Sequence, residues 1–114
     1  MSFGGIALGA RGERLAAQWY QEHGYVVVAR NWRCEIGEID LVARRGHELV
    51  VVEVKTRMSD RFGAPSEAVG FAKQRKLRQL ASVFLAASDR RYEDVRFDVV
   101  SIIGRDINVI EAAF

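Results

Sequence analysis

The alternation of apolar and polar positions changes period several times along the chain, and each change predicts an element. Leu8, Leu15, Ala16, Trp19 and Tyr20 recur at helical spacing and predict a helix over about residues 8–23. Gly24 follows as its C-terminal cap. Tyr25 to Trp32 (YVVVARNW) is β-branched and reads as a strand, with 33–36 as a connection. From Gly37 to Arg57 the run GEIDLVARRGHELVVVEVKTR reads as two apolar-rich strands joined by a short turn. A loop follows, and Pro65-Ser66 predict the start of a helix that runs to Ala87 with an interruption at Gly70. Its apolar stripe is Leu77, Leu80, Ala81, Phe84 and Leu85. Val95 to Ile103 is a strand apolar on both faces, and 107–110 is a short final strand.

The predicted order is helix, three strands, helix, strand and a short appended strand. The first three strands are expected to be antiparallel, because their links are short. The third strand, long helix and fourth strand should form a β-α-β crossover. The fold class is therefore α/β, a mixed sheet flanked by helices.

Acids and a lysine stand inside the two most apolar strands. Successive strand side chains face opposite sides. Glu53 and Lys55 therefore share one face, with Val52 and Val54 on the other, and Glu38 and Asp40 share a face opposite Ile39 and Leu41. A two-residue turn at Arg45-Gly46, or a four-residue one over 45–48, pairs even positions with odd ones and brings Asp40 to the face of Glu53 and Lys55. A three-residue loop without a bulge reverses this. Two carboxylates and an ammonium in one patch need compensation. Hard Mg²⁺, which prefers oxygen ligands, would supply it. The bland alternative is a salt-bridge cluster buried in a sheet.

Composition sets outer bounds. The 114 residues suit one domain, 1–114, with 49% hydrophobic and 28% charged residues, as in ordinary globular chains. The net charge of +2 says little by itself, but from Lys55 to Ser88 seven Lys or Arg face two acids. Lys73, Arg75, Lys76 and Arg78 crowd one half of the long helix, either as a solvated face or as a track for phosphates. Arg57, two residues beyond Lys55, should point to the same side, and Gln74 stands at the head of the helix. Cys34 is the one cysteine, which excludes an internal disulfide and fits a reducing, cytoplasmic setting. No run approaches membrane-spanning length, and no membrane partner is expected.

Several other residues read as structural. His23 sits at a helix end and His47 in a turn, neither with a metal-ligand partner at recognisable spacing. Trp19 reads as core, and Trp32 as core or a stacking platform. Cys34 lacks a neighbouring His, and Asp98 reads as the partner of Arg96 or another arginine. Glu13, between Arg11 and Arg14, is on its own a solvated acid.

An acid late in the second strand, a hairpin and then Glu53-Val54-Lys55 in the third resemble the PD-(D/E)xK nuclease motif, and the element order resembles that fold's core. The runs GARGERLAAQWYQEHGYVVVARNWRCEIGEIDLVA, VVEVKTR, FGAP and RFDVV are similar to the YraN family over nearly the whole chain. The motif's proline is absent, since Ile39 precedes Asp40. The resemblance implies a restriction-endonuclease-like core and a metal-dependent endonuclease that hydrolyses phosphodiester bonds in nucleic acid, DNA rather than RNA. It also implies Mg²⁺ or Mn²⁺ held by Asp40, Glu53 and the Val54 carbonyl, with Lys55 acting on water and phosphate. Glu13 resembles an additional acid of junction-resolving relatives, and Glu38 and Gln74 become supporting candidates. Branched DNA and a homodimer are what such relatives imply. The alternative is a nucleic-acid-binding scaffold that keeps the fold without turnover.

Overall fold

The computed structural model describes residues 3–57 and 69–114. Their order is α1 (Phe3–Glu22), β1 (Val26–Cys34), β2 (Gly37–Arg45), β3 (Glu48–Arg57), α2 (Phe71–Ala87), β4 (Asp94–Ile103) and β5 (Asp106–Ile110). The strands form one five-stranded mixed sheet in the order β1-β2-β3-β4-β5. β3 and β4 are parallel, with α2 making the crossover, and the other three pairs are antiparallel.

The two helices cover opposite faces, as the apolar runs on both sides of β3 demand. Ala16, Ala17 and Tyr20 of α1 pack on Leu41, Ala43, Val50, Val52, Val100 and Ile102. Leu77, Leu80, Ala81 and Phe84 of α2 pack on Ile39, Val42, Leu49, Val51, Phe97 and Val99. Each fully buried aliphatic side chain contributes about 1.5–3 kcal/mol, so these two layers are what hold the site residues in place. Gly24 (φ 85) ends α1 as expected, with the Tyr25 N–H returning to the Tyr20 carbonyl at 2.9 Å.

Boundaries differ from the sequence reading in instructive places. α1 begins at Phe3 rather than near Leu8, because the glycines at 4, 5 and 9 weaken a helix by about 1 kcal/mol each without removing a hydrogen bond. α2 begins at Phe71, with Gly70 extended (φ −62, ψ 160) as its N-cap. The expected start at Pro65-Ser66 lies outside the described residues, but Val69 and Gly70 are not helical. β1 runs two residues past Trp32, to Cys34, because β2 pairs with it as far as Cys34↔Gly37.

The β2–β3 hairpin closes on the pair Arg45↔Glu48, so the two-residue turn is Gly46-His47, neither Arg45-Gly46 nor the four residues 45–48. Gly46 takes the left-handed conformation that such a tight turn requires (φ 59). The register still pairs even with odd positions, down to Leu41↔Val52.

One expectation about β2 is corrected. Ile39 and Leu41 do not share a face: Ile39 packs under α2 and Leu41 under α1. β1 breaks alternation on the same rung, since Ala29 and Trp32, three residues apart, both pack on the α2 side. Asn31 lies between them with φ 48, a left-handed backbone that turns the strand over.

Asp98 is structural, as the sequence reading has it. Fully buried, it accepts from Tyr20 Oη (2.6 Å), from Arg96 Nε (2.8 Å) and from the Ala112 N–H (3.0 Å). Arg96 also donates to Tyr25 Oη (2.9 Å) and Glu48 (3.1 Å). The network ties α1, β3, β4 and the C-terminal segment together. Burial, then the Asp98 charge, pushes the Tyr20 hydroxyl far up, so it stays a donor.

Candidate active site

The site lies where β2 and β3 separate. Their ladder ends at Leu41↔Val52. Two residues beyond Val52, the Val54 N–H donates to Asp40 Oδ2 at 2.8 Å instead of to a strand carbonyl. The Asp40 carboxylate therefore sits in the gap between the strands, near the plane of the sheet. This placement follows from the reversal on Asp40's own rung, between Ile39 and Leu41, without which Asp40 would stand on one face.

Glu53 and Lys55 project on the α2 side, the side of Leu49 and Val51 in the same strand. Glu53 is half-buried, and Lys73 from the first turn of α2 reaches it, Nζ to Oε1 3.6 Å. Lys55 is half-buried and its charge also favours ionised Glu53.

The carboxylates strain against each other. Burial first and then the Glu53 charge push Asp40 up to about 7, opposed by the Val54 N–H; Glu13 adds to the push. Burial likewise raises Glu53, with Lys73 and Lys55 opposing. Glu13 comes from α1, which approaches β3 so closely at Gly12 that a Cβ there would collide with the Thr56 side chain. Its Oε2 accepts from Asn31 Nδ2 at 2.7 Å.

The remaining candidates divide. Arg57 ends β3, half-buried, its carbonyl accepting from the Gly104 N–H at 3.2 Å. Arg75 and Lys76 are exposed on α2, and Lys76 lies alongside Gly37. Arg78 lies over the stacked rings of Phe97 and Phe114, 5.0 and 5.5 Å from their centroids. Gln74 donates to the Val69 carbonyl at 2.6 Å, fixing the entry to α2 rather than joining the acids. Glu38 pairs with exposed Arg33 at 3.1 Å, and its charge reaches Glu53. His23 stacks on Trp19, and Trp32, partly buried, meets Phe84 edge-on and packs against the α2-side core.

Two contributors carry no sequence signal of their own. Asn31 is one, and only its tolerance of a left-handed backbone inside a β-run could point to it. Ser101 is the other. It neighbours Lys55 across the parallel ladder, and its buried hydroxyl has no hydrogen-bond partner among the described residues.

Among the described residues, no three His, Cys, Asp or Glu side chains converge closely enough as they stand to hold a metal ion. The donor set nonetheless fits Mg²⁺, which is commonly bound through one or two carboxylates with water and substrate phosphate completing the shell. Asp40 and Glu53 supply the two carboxylates, and their mutual repulsion is what a cation would relieve.

Residues 12–102 match the model of an uncharacterised protein family, UPF0102. A UPF0102 protein of Beutenbergia cavernae is 54% identical over 97 residues, which cover 85% of this chain and 82% of the relative. One of Nocardia farcinica is 50% identical over 97 residues, 85% of this chain and 76% of the relative. One of Thermodesulfovibrio yellowstonii is 42% identical over 109 residues, 96% of each. Among the described residues no helix is long and apolar enough to cross a membrane.

Proposed function

The chain belongs to the UPF0102 (YraN) family, and from its acidic site we propose that it is a metal-dependent endonuclease of the PD-(D/E)xK type acting on DNA. The order α1-β1-β2-β3-α2-β4, with β3 and β4 parallel, supports that fold assignment. The observation that carries the reading is the pair Asp40 and Glu53. Asp40 is bound at the point where β2 and β3 part and the Glu53 charge helps push it up to about 7, with Lys55 two residues beyond Glu53 on the same face.

Asp40 and Glu53, with the Val54 carbonyl, would hold Mg²⁺ or Mn²⁺. When bound, the ion supplies Lewis-acid neutralisation of the scissile phosphate. Lys55 orients the attacking water and offsets charge developing on the phosphate. Glu13 supports the site through water from the α1 side. Arg57, Arg75 and Lys76 receive neighbouring phosphates, which makes affinity fall with salt. Branched DNA is the favoured substrate form, and a homodimer would cut two strands together.

A second reading has its own support. Lys73 lies 3.6 Å from Glu53, where its ammonium answers the charge that a metal would otherwise answer. On that reading the chain is a nucleic-acid-binding scaffold without turnover. A labelled panel of single strand, duplex, flap and four-way junction, incubated with Mg²⁺, Mn²⁺ or EDTA, separates the two. Metal-dependent cutting that disappears in Lys55→Ala is expected. Salt-sensitive binding without cutting, unchanged by that substitution, would establish the scaffold.

A further inference from the structure

We infer that Asn31 is a positioning residue for the metal site, fixing Glu13 beside Asp40; the inference rests on the metal-dependent reading above. Three independent observations converge on it. Its side chain crosses from β1 to α1, Nδ2 donating to Glu13 Oε2 at 2.7 Å. Its backbone is left-handed, φ 48, a conformation that asparagine tolerates better than most residues other than glycine. It also stands opposite Asp40, because the flanking pairs Arg30↔Leu41 and Trp32↔Ile39 leave Asn31 and Asp40 facing each other on the rung between them.

That rung is where both strands reverse their faces. Ile39 packs under α2 while Leu41 packs under α1. The reversal aims Asp40 at β3 and the Val54 N–H. One residue thus performs two tasks. The left-handed backbone of Asn31 shapes the rung that turns Asp40 inward, and its amide restrains the carboxylate whose charge bears on Asp40 from the other side. An acid on α1 without this bond would be free to swing toward Arg11 or Arg14, its neighbours in sequence. Groups that hydrogen-bond a metal ligand typically matter about 10–100-fold in metal affinity, and one that holds a water-linked carboxylate belongs at the lower end.

Asn31→Gly separates the tasks, since glycine keeps the left-handed backbone and loses only the amide. Mn²⁺ binding to the whole chain would be followed by calorimetry and by loss of the free-ion EPR signal, with melting temperature measured alongside. Asn31→Gly is expected to weaken Mn²⁺ about tenfold with only a small change in melting temperature. In a Glu13→Ala background the same substitution should change affinity little, because its effect runs through Glu13. Asn31→Gly binding Mn²⁺ like wild type would overturn the inference while leaving the metal site standing, and so would an undiminished effect in the Glu13→Ala background. Wild type that binds no Mn²⁺ at all would instead remove the metal-dependent reading, and this inference with it.

Discussion

Asp40 and Val54 are joined by a hydrogen bond that replaces a rung of the sheet. The Val54 N–H donates to the Asp40 carboxylate at 2.8 Å, just past the last β2–β3 pair. A side chain thereby satisfies a backbone donor that the parting strands would orphan. The bond also fixes the acid next to Glu53, a position that burial makes costly when the acid is ionised. Strand divergence and acid placement are one feature.

Stability should decline with pH because of Asp40. Its pKa rises on folding from 3.8 to about 7, so the folded state holds the proton more tightly. The associated stability is fully present below about pH 4 and is lost as pH rises through 7. Asp40→Asn keeps an acceptor for the Val54 N–H and removes the charge. At pH 8 without metal it should be more stable than wild type by on the order of 1–3 kcal/mol. The gain should shrink toward pH 4, and Mg²⁺ should stabilise wild type only. Urea unfolding at several pH values, with and without Mg²⁺, checks this; an asparagine variant less stable at pH 8 would contradict it.

Lys73 should compete with the metal. Its ammonium answers Glu53 at 3.6 Å from a half-exposed position. Ion pairs of that exposure are worth about 0.2–1 kcal/mol. Lys73→Met keeps most of the apolar stem and should tighten Mg²⁺ binding by about two- to fivefold. Calorimetric titration of wild type and variant reads this directly. Equal affinities would show that the lysine does not stand in for a cation.

Much of this arrangement was legible in residue order, and the failures have physical causes. The apolar runs around Glu53 and Lys55 place both residues on one face, because side-chain alternation in a paired strand is enforced by its neighbours. The same rule misplaces Ile39 relative to Leu41. Periodicity cannot register a left-handed Asn31 on the adjacent strand, which acts through pairing rather than through local propensity. Residue order leaves the turn open between Arg45-Gly46 and the four residues 45–48, since Gly46 can occupy either position of a tight hairpin, and only the pairing of Arg45 with Glu48 sets it at Gly46-His47. Arg78 looks like its basic neighbours in sequence, and only the fold brings Phe97 and Phe114 beneath it.

Gly12 should be irreplaceable as long as Thr56 is present. A Cβ at position 12 would collide with the Thr56 side chain, so the α1–β3 approach that carries Glu13 requires glycine. Gly12→Ala should destabilise by about 1–3 kcal/mol through overpacking, despite alanine's better helix propensity. Adding Thr56→Ala should recover most of the loss, a coupling read from a denaturation double-mutant cycle. Additive losses would place the close approach elsewhere.

The basic residues of α2 should separate by function although they are adjacent in sequence. Lys76 and Arg75 are exposed, and each one that meets a duplex phosphate contributes about −0.9 to the slope of log affinity against log salt. Arg78 is committed to the Phe97 and Phe114 rings, a contact worth about 0.5–2 kcal/mol. Lys76→Ala should therefore flatten the salt dependence of duplex DNA binding by close to one unit and leave the melting temperature nearly unchanged. Arg78→Ala should lower the melting temperature and leave the salt slope alone. Fluorescence anisotropy across a salt series, paired with thermal melts, measures both. A flattened slope in Arg78→Ala with unchanged stability would return that arginine to the phosphate track and show that the aromatic contact gives way when DNA binds.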